Sequence, residues 1–140
     1  IIGYPEESDD DFKYTMELIE KIGFINSYSF IFSPRPGTVA ADLELVDKKK
    51  SKERLKIIQE KLFKNQINKN KSLEGKILNV LVENRMKDGI KLFGRTDYMT
   101  SVIFSGDADC IGKVVQIEIT SSNQNSLFGS LKETYKQRVA

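Results

Sequence analysis

Helical and extended hydrophobic patterns follow each other in the first part of the chain. Apolar residues recur at helical spacing from Phe12 to Ile19. Ser8 precedes this stripe as a suitable N-cap, and Gly23 follows it as a suitable C-cap. We therefore predict a helix over roughly 8–22.

The next segment, Phe24 to Phe32, is rich in aromatic and branched residues and is too short for a typical helix. It predicts a buried strand. With a strand end at 1–5 and the helix between them, it gives a β-α-β unit, whose two strands are parallel. The loop at 33–47 would then leave the carboxyl edge of a strand, where α/β sheets and barrels collect their active sites.

A second helix is predicted after Asp47, which can cap it. Leu55, Ile58 and Leu62 line one face, and the pattern continues to about Asn70. The patterning changes beyond this point, so a domain boundary is placed near residue 72.

The C-terminal part contains five short segments with strand patterns, separated by turn residues: 76–83, 90–96, 98–104, 114–120 and 126–131. Five strands in so short a stretch predict a small OB-like antiparallel barrel, a fold that commonly binds oligonucleotides. The predicted fold class is α/β followed by all-β, with domains at 1–71 and 73–139.

Charge is distributed unevenly along the chain. The net charge is −7 over residues 1–47, +8 over 48–76 and +1 over 77–140. A basic block of this kind indicates an anionic partner, with nucleic acid the first candidate, or else a solvated helix face rich in lysine.

Several kinds of chemistry are excluded by composition. The chain has no histidine, which excludes Ser-His-Asp and Cys-His catalysis and His-ligated zinc within it. Its single cysteine, Cys110, cannot hold an iron–sulfur cluster and predicts a small buried side chain in a reducing, cytoplasmic environment. No apolar run is long enough to cross a membrane. The start, Ile-Ile-Gly-Tyr-Pro, indicates a fragment of a longer protein.

Cationic and aromatic residues are interleaved in the second and third predicted strands, a pattern typical of surfaces that stack bases and contact phosphates. Phe93 is alternatively a barrel-core residue, as we expect for Phe104, and the loop of Asn123 is alternatively a plain connection. The candidate RNA-binding residues are Arg85, Lys87, Lys91, Phe93, Arg95, Tyr98, Lys76 and Asn123.

The stretch Ser-Pro-Arg-Pro-Gly begins at Ser33. Each proline fixes its own φ and pushes the preceding residue toward extended conformations, so the loop around Arg35 is stiff. We predict that Arg35, with Gly37 and Thr38, lies at the mouth of an active site and meets a phosphate or carboxylate there. The alternative is a rigid strand exit with Arg35 in a surface ion pair.

Several segments resemble, in order, the radical-SAM methylthiotransferases. The matching segments are Gly3 to Ser8 with Asp11-Phe12, Tyr28 to Phe30, Ser33 to Ala41, Glu53 to Leu55, Leu92 to Thr96, Phe104 to Asp107, Ile111-Gly112 and Ser126 to Gly129. The Ser-Pro-Arg-Pro-Gly-Thr form resembles the branch that methylthiolates isopentenyladenosine next to the anticodon of tRNA.

The resemblance implies a fold and a mechanism for a longer enzyme. Residues 1–71 would be the last βα units of its partial TIM-like barrel with a connecting helix, and 73–139 its TRAM domain, which binds the anticodon arm of tRNA. Two 4Fe-4S clusters and S-adenosylmethionine would serve catalysis, with Gly3 near a cofactor. The cluster cysteines are absent here, so this chain alone would be inactive and bind no cofactor. It would be a monomer.

Two alternatives remain at this point: a stand-alone RNA-binding TRAM module, or a methylthiotransferase for a different adenosine or a ribosomal protein. The chain also departs from the family pattern in two places. Glu6 stands where the family usually has glycine, and Asp97-Tyr98-Met99-Thr100 replaces a more basic, Asn-containing stretch.

Overall fold

The computed structural model describes residues 1–87 and 89–134 and divides into two compact units, Ile1–Gln66 and Ile67–Ala140. The predicted barrel domain reaches residue 139, so its last five residues lie outside the described part. The helices and strands are α1 (Asp9–Ile22), α2 (Lys48–Lys71), β1 (Ile77–Arg85), β2 (Lys91–Thr96), β3 (Ser101–Ser105), β4 (Val114–Ser122) and β5 (Ser126–Thr134), with short 3₁₀ helices at Val39–Ala41 and Ala108–Cys110.

Helix α1 begins and ends where its capping residues predict. The Asp11 backbone N–H donates to the Ser8 hydroxyl oxygen at 3.1 Å, and the Ser8 backbone N–H donates to the Asp11 carboxylate at 2.9 Å. These reciprocal bonds form a capping box, which satisfies helix donors that would otherwise lack partners. At the other end Gly23 has a φ of 67° and donates its N–H to the Ile19 carbonyl at 3.0 Å.

The segment from Phe24 to Phe32 is not the buried strand that its composition predicts. Within the described residues it pairs through one bridge between Ile2 and Ile31, which is parallel as expected. Tyr28 is 90% exposed and Phe30 is 63% exposed. One bridge with Ile2 gives this segment neither a full ladder of hydrogen bonds nor a covered face, which a buried strand needs.

Helix α2 supplies much of the core of the first unit. Asp47 accepts a hydrogen bond from the Lys50 N–H at 2.9 Å, as predicted for an N-cap. The buried side chains of this core are Ile2, Ile19, Ile58 and Leu62, with Phe12, Met16 and Leu55 packed against them. The predicted apolar face of α2 therefore packs on α1 and on the first residues of the chain.

The five strands of the second unit form a closed barrel in the order β1-β2-β3-β5-β4. Four of the pairings are antiparallel, but β3 and β5 are parallel, so the expectation of a wholly antiparallel barrel is wrong in this pairing. The reason is connectivity: β4 and its hairpin to β5 intervene in sequence, and β5 returns beside β3 in the same direction. The third strand also begins later than predicted, since Tyr98 lies in the turn before β3.

The barrel interior is filled by the alternate side chains of each strand that point inward. Phe104 belongs to this core, as predicted, and so does the lone cysteine, Cys110. Gly94 faces inward where a Cβ would lie 2.5 Å from the Leu81 carbonyl oxygen. A glycine there lets β1 and β2 approach closely. The other buried core residues are Leu73, Val80, Val82, Leu92, Val102, Val115, Ile117, Ile119 and Leu127.

Candidate nucleic-acid interface

Strand β2 presents alternating side chains to the inside and the outside of the barrel. Leu92, Gly94 and Thr96 are buried, whereas Phe93 and Arg95 are half-buried on the outer face. Phe93 is not a member of the barrel core, so the alternative reading of this ring as core packing is wrong. Strand periodicity thus places an aromatic ring and a cation side by side on the surface.

Arg95 is held over the Phe93 ring. Its Nε lies 3.2 Å from a Glu83 carboxylate oxygen, and its guanidinium donates to the Met99 carbonyl at 3.1 Å. The guanidinium carbon is 5.2 Å from the centroid of Phe93, within the range of a cation–π contact. The register of β1 shifts between Val82 and Asn84, at Glu83. The ion pair with Glu83 and the Met99 carbonyl therefore orient a planar cation beside an aromatic surface.

An open depression lies at one end of β2. It has a volume of about 410 Å³ and is lined by Asn84, Arg85, Met86, Lys87 and Phe93. Arg85 and Lys87 are exposed here, so two cations border a cavity that has an aromatic wall. Such a combination can accept a flat, anionic group.

Tyr98 lies in the β2–β3 turn, where the Lys69 ammonium is 5.6 Å from the centroid of its ring. The next residue, Met99, has a φ of 61°, in the left-handed region that asparagine enters more readily than methionine. The turn therefore places a methionine in a backbone conformation to which it is poorly suited.

Asn123 shapes the β4–β5 turn. Its side-chain oxygen accepts hydrogen bonds from the backbone N–H groups of Asn125 and Ser126, at 2.9 and 2.8 Å. These bonds form an Asx turn. Asn123 therefore has a conformational role in its loop, and its side-chain oxygen is engaged there.

The candidate residues do not all lie together. Lys76 immediately precedes β1 and Arg85 ends it, so the length of a nine-residue strand, about 30 Å, separates them. Tyr98 and Asn123 lie at the same end of the barrel as Lys76, since β2 and β4 both end there. Lys91 begins β2 near Arg85 and Lys87. Phe93 and Arg95 lie between the two ends.

Two outward residues beside Phe93 were missed by the reasoning from sequence. Ile103 of β3 pairs with Phe93, and Phe128 of β5 pairs with Ile103. All three are half-buried and lie outside the core. Alternation within the last strand could have indicated Phe128, but the parallel pairing that brings it beside Ile103 is not visible in the sequence.

The Ser-Pro-Arg-Pro-Gly loop of the first unit is a turn. The Thr38 N–H and hydroxyl donate to the Arg35 carbonyl at 3.2 and 2.8 Å, and Gly37 has a φ of 80°. Proline and a positive-φ glycine at the two central positions are typical of a type II turn. The Arg35 side chain is exposed, and within residues 1–87 and 89–134 it makes no ion pair.

A buried arginine joins the first loop to α2. Arg54 is 3% exposed, donates to the Glu7 carbonyl and carboxylate, and contacts Asp9 at 2.6 Å. Burial opposes the charge of Arg54, but the hydrogen bonds to Asp9 and Glu7 outweigh it and raise the arginine's pKa. Its guanidinium also lies 5.2 Å from the centroid of the Phe12 ring.

Gly3 is part of the same loop. Its N–H donates to the Glu7 carboxylate at 2.9 Å, and a Cβ at Gly3 would overlap the Ser51 side chain. Close packing therefore explains the glycine. Glu6 has a φ of 67°, a glycine-like conformation in which a residue with a Cβ is strained.

The described residues offer no metal centre and no membrane helix. No group of three or more Cys, Asp or Glu side chains within them is arranged to hold a metal ion. None of the helices in this part of the chain is both long and apolar enough to span a bilayer.

Comparison with known proteins first identifies the family of the barrel domain. Residues 71–132 match the TRAM domain. The closed five-stranded barrel with its cationic and aromatic outer strand is thus a TRAM domain.

The chain as a whole, barrel included, is similar to a family of enzymes. It is 79% identical over 140 residues, the whole chain, to the tRNA-2-methylthio-N(6)-dimethylallyladenosine synthase of Pelagibacter ubique (strain HTCC1062). It is 46% identical over 132 residues to the synthase of the same name from Ruthia magnifica subsp. Calyptogena magnifica, and 40% identical over 137 residues to that of Anaplasma phagocytophilum (strain HZ); each match covers 94% of the chain. The chain belongs to this methylthiotransferase family and spans 30–31% of the length of these relatives.

Proposed function

We propose that the chain is the tRNA-binding C-terminal part of an enzyme that adds a methylthio group to C2 of isopentenyladenosine next to the anticodon. The observation that carries the proposal is similarity over the entire chain to synthases whose names specify this nucleoside. The TRAM match and the outer surface of β2 support a role in binding RNA.

The two units take different roles in this proposal. The TRAM domain, at 73–139, grips the anticodon arm of tRNA, and residues 1–71 form the last βα units and connecting helix that close a radical-SAM barrel. The parallel bridge between Ile2 and Ile31 supports a βα arrangement in the first unit. The residues proposed to contact RNA are Arg85, Lys87, Lys91, Phe93, Arg95, Tyr98, Lys76 and Asn123.

The turn at Arg35 is proposed to face the mouth of the active site. Its guanidinium is exposed, and the type II turn with Pro36 and Gly37 at its centre, closed by the hydrogen bonds from Thr38 to Arg35, fixes the backbone that carries it. An arginine held in this way suits a substrate phosphate or carboxylate. Gly3 is retained as a weak cofactor-binding candidate.

The cofactors of such an enzyme do not fit the residues of this chain. One buried cysteine cannot supply the thiolates that an iron–sulfur cluster requires. Two 4Fe-4S clusters and S-adenosylmethionine therefore belong to the remainder of a longer protein. The chain by itself is proposed to be catalytically inactive, monomeric and cytoplasmic.

Salt-dependent binding to tRNA tests the RNA-binding role. We expect the affinity of the 140-residue chain for unfractionated tRNA, measured by filter binding, to fall steeply as salt rises, because phosphate contacts release counterions. Arg95→Ala should weaken binding about tenfold or more. Lys13→Ala, on the exposed face of α1, is the matched control. Binding that ignores salt, or an Arg95→Ala variant with wild-type affinity, would contradict the proposal.

Two further experiments separate the alternatives. A Cys-x-x-x-Cys-x-x-Cys run in the coding sequence upstream of Ile1 supports the methylthiotransferase, and its absence favours a stand-alone RNA-binding module. In the full-length protein, mass spectrometry of tRNA nucleosides should show 2-methylthio-isopentenyladenosine, with a reduced yield in Arg35→Ala. A methylthio group found on another adenosine or on a ribosomal protein would instead support a methylthiotransferase with that substrate.

A further inference from the structure

We propose that the outer face of β2, β3 and β5 binds unpaired nucleotides by stacking, with Phe93 and Phe128 as the two platforms and Ile103 between them. The proposal rests on the proposed function, because it assumes that the barrel binds RNA. It extends the surface from one strand to three, and it specifies the kind of RNA that the surface accepts.

Strand register places the three side chains in one row. Phe93 is the partner of Ile103 in the antiparallel β2–β3 pair, and Ile103 is the partner of Phe128 in the parallel β3–β5 pair. Neither pairing contains a register shift. Because neighbouring strands are about 4.8 Å apart, the two rings lie about 10 Å from each other across the sheet.

The row faces away from the barrel interior. The strand neighbours Leu92, Val102 and Leu127 are fully or almost fully buried in the core, and side chains of adjacent residues in a strand point to opposite faces. Phe93, Ile103 and Phe128 are absent from that core and are half-buried. Two aromatic rings on the outer face of a closed barrel add nothing to its core, but they are what base stacking requires.

Small hydroxyl residues flank the row on both sides. Ser101 pairs with Ser126 on one side, and Ser105 pairs with Ser130 on the other. Serines do not rise above the neighbouring rings, so they leave the ring faces accessible, apart from the face of Phe93 that the Arg95 guanidinium covers. Their hydroxyls can donate to or accept from base edges and ribose 2′-hydroxyls.

The same register places one cation of β2 at the end of each serine row. Arg95 pairs with Ser101, and Lys91 pairs with Ser105. The sheet therefore carries three parallel rows, a central apolar row and two outer rows that each combine a cation with two serines. Phosphates on either side of a stacked base would meet the outer rows.

The composition of this face favours unpaired nucleotides over a duplex. In a duplex the bases stack on each other and cannot offer their faces to a protein ring. Arg95 and Lys91, the cations of the two outer rows, both belong to β2, and strand β3 lies between them and Phe128. Stacking therefore contributes more than phosphate attraction at Phe128.

The test uses the 140-residue chain and a fluorescein-labelled ten-uridine RNA, with the duplex formed by ten uridines and ten adenosines as the comparison. We expect Phe93→Leu and Phe128→Leu each to weaken single-strand binding about tenfold, as loss of one stacked base does. Phe128→Tyr should bind with wild-type affinity, because tyrosine keeps an aromatic ring at this position. The factor by which each Leu substitution lowers the affinity should be the same at low and high salt, since neither substitution removes a phosphate contact.

Matched controls separate stacking from misfolding. Tyr28→Leu removes an aromatic ring that is 90% exposed in the first unit and should leave affinity unchanged. Thermal unfolding of each variant shows whether the fold is retained. If Phe128→Leu does not fold, ultraviolet crosslinking of the wild-type chain to ten-uridine RNA decides: crosslinks at Phe93 and Phe128 support the proposal, and crosslinks confined to residues 48–71 overturn it.

The outcomes for this surface and for the proposed function are distinct. Wild-type affinity in both folded Leu variants, or equal loss of duplex and single-strand binding, overturns the stacking proposal even if tRNA still binds. Absence of tRNA binding by the wild-type chain contradicts the proposed function. Phe-dependent binding of ten-uridine RNA would nevertheless support the stacking surface in that case.

Discussion

Asn70, in the last turn of α2, donates from its side-chain amide to the Asn123 carbonyl oxygen at 2.8 Å. The same amide donates to the Gln124 carbonyl at 3.0 Å. The Asn70 side chain is completely buried, and its own oxygen has no partner within the described residues. The two donated hydrogen bonds therefore offset the desolvation cost of burying this amide. They also hold the β4–β5 turn of the TRAM domain in place.

We expect Asn70→Ala to lower the free energy of unfolding of the second unit by about 1–3 kcal/mol, because two hydrogen bonds from a buried group are lost. Asn68→Ala is the control, since Asn68 is exposed on the same helical turn. Urea unfolding followed by circular dichroism measures both. Equal effects of the two substitutions would show that the contact with the turn contributes nothing.

Substitution of the buried Arg54 in the first unit should lower the free energy of unfolding more than Asn70→Ala does. Replacing Arg54 by Met removes the cation that compensates the Glu7 carboxylate, and breaking such a buried pair costs about 3–5 kcal/mol. Arg35→Met, at an exposed position, should change the unfolding free energy little. A stable Arg54→Met variant with normal urea unfolding would indicate that Phe12 packing, rather than charge, holds the loop.

Glu6 provides a stabilising prediction. Glycine has no steric penalty at a φ of 67°, so Glu6→Gly should raise the free energy of unfolding by about 1 kcal/mol. Glu6→Ala removes the carboxylate but keeps the Cβ, and should therefore give no such gain. Thermal unfolding of the two variants distinguishes backbone strain from a charge effect, and similar gains in both would refute the strain.

Stability of the first unit should decrease in acid. The pKa of Asp9 is lowered by hydrogen bonds from Lys50 and Arg54, that of Asp11 by Ser8, and that of Glu20 by Lys61. The unfolded chain, with ordinary values of 3.8 for Asp and 4.5 for Glu, then binds more protons than the folded one at acidic pH. The contribution is present above these values and is lost as pH falls through the lowered pKa of each group.

Urea unfolding between pH 2.5 and 6 measures this loss. Glu20→Gln should flatten the slope of stability against pH, because the variant has no proton to bind at this position. Asp42→Asn is the comparison, an exposed carboxyl of the same unit. A slope that Glu20→Gln leaves unchanged would assign the acid sensitivity to other groups.

Local features of this chain were predictable, and features that depend on distant partners were not. The caps of α1 and the apolar face of α2 follow from neighbouring residues, and five of the predicted strands appear with small shifts of their ends. The segment from Phe24 to Phe32 has the composition of a buried strand, yet burial requires neighbours that local sequence does not contain. Parallel pairing of β3 with β5 likewise depends on the path of the chain between them.

The residues of the candidate interface likewise divide into those that local sequence predicts and those that depend on strand pairing. Phe93 and Arg95 were identifiable because both lie within one strand, where alternation indicates the exposed side. Ile103 and Phe128 lie 10 and 35 positions after Phe93 in sequence, and their place beside it is set by strand register. The aromatic side chain of Tyr98 favours a strand, but the left-handed backbone at Met99 makes this segment a turn.

The position of β5 between β3 and β4 has a consequence for synthesis on the ribosome. Until Ser126 and the residues after it have emerged, the nascent barrel has two unpaired strand edges, one on β3 and one on β4. Such edges are templates for pairing with other chains. A chain that is released before β5 is synthesised would keep an open sheet, and chaperone capture or aggregation of that product should rise accordingly.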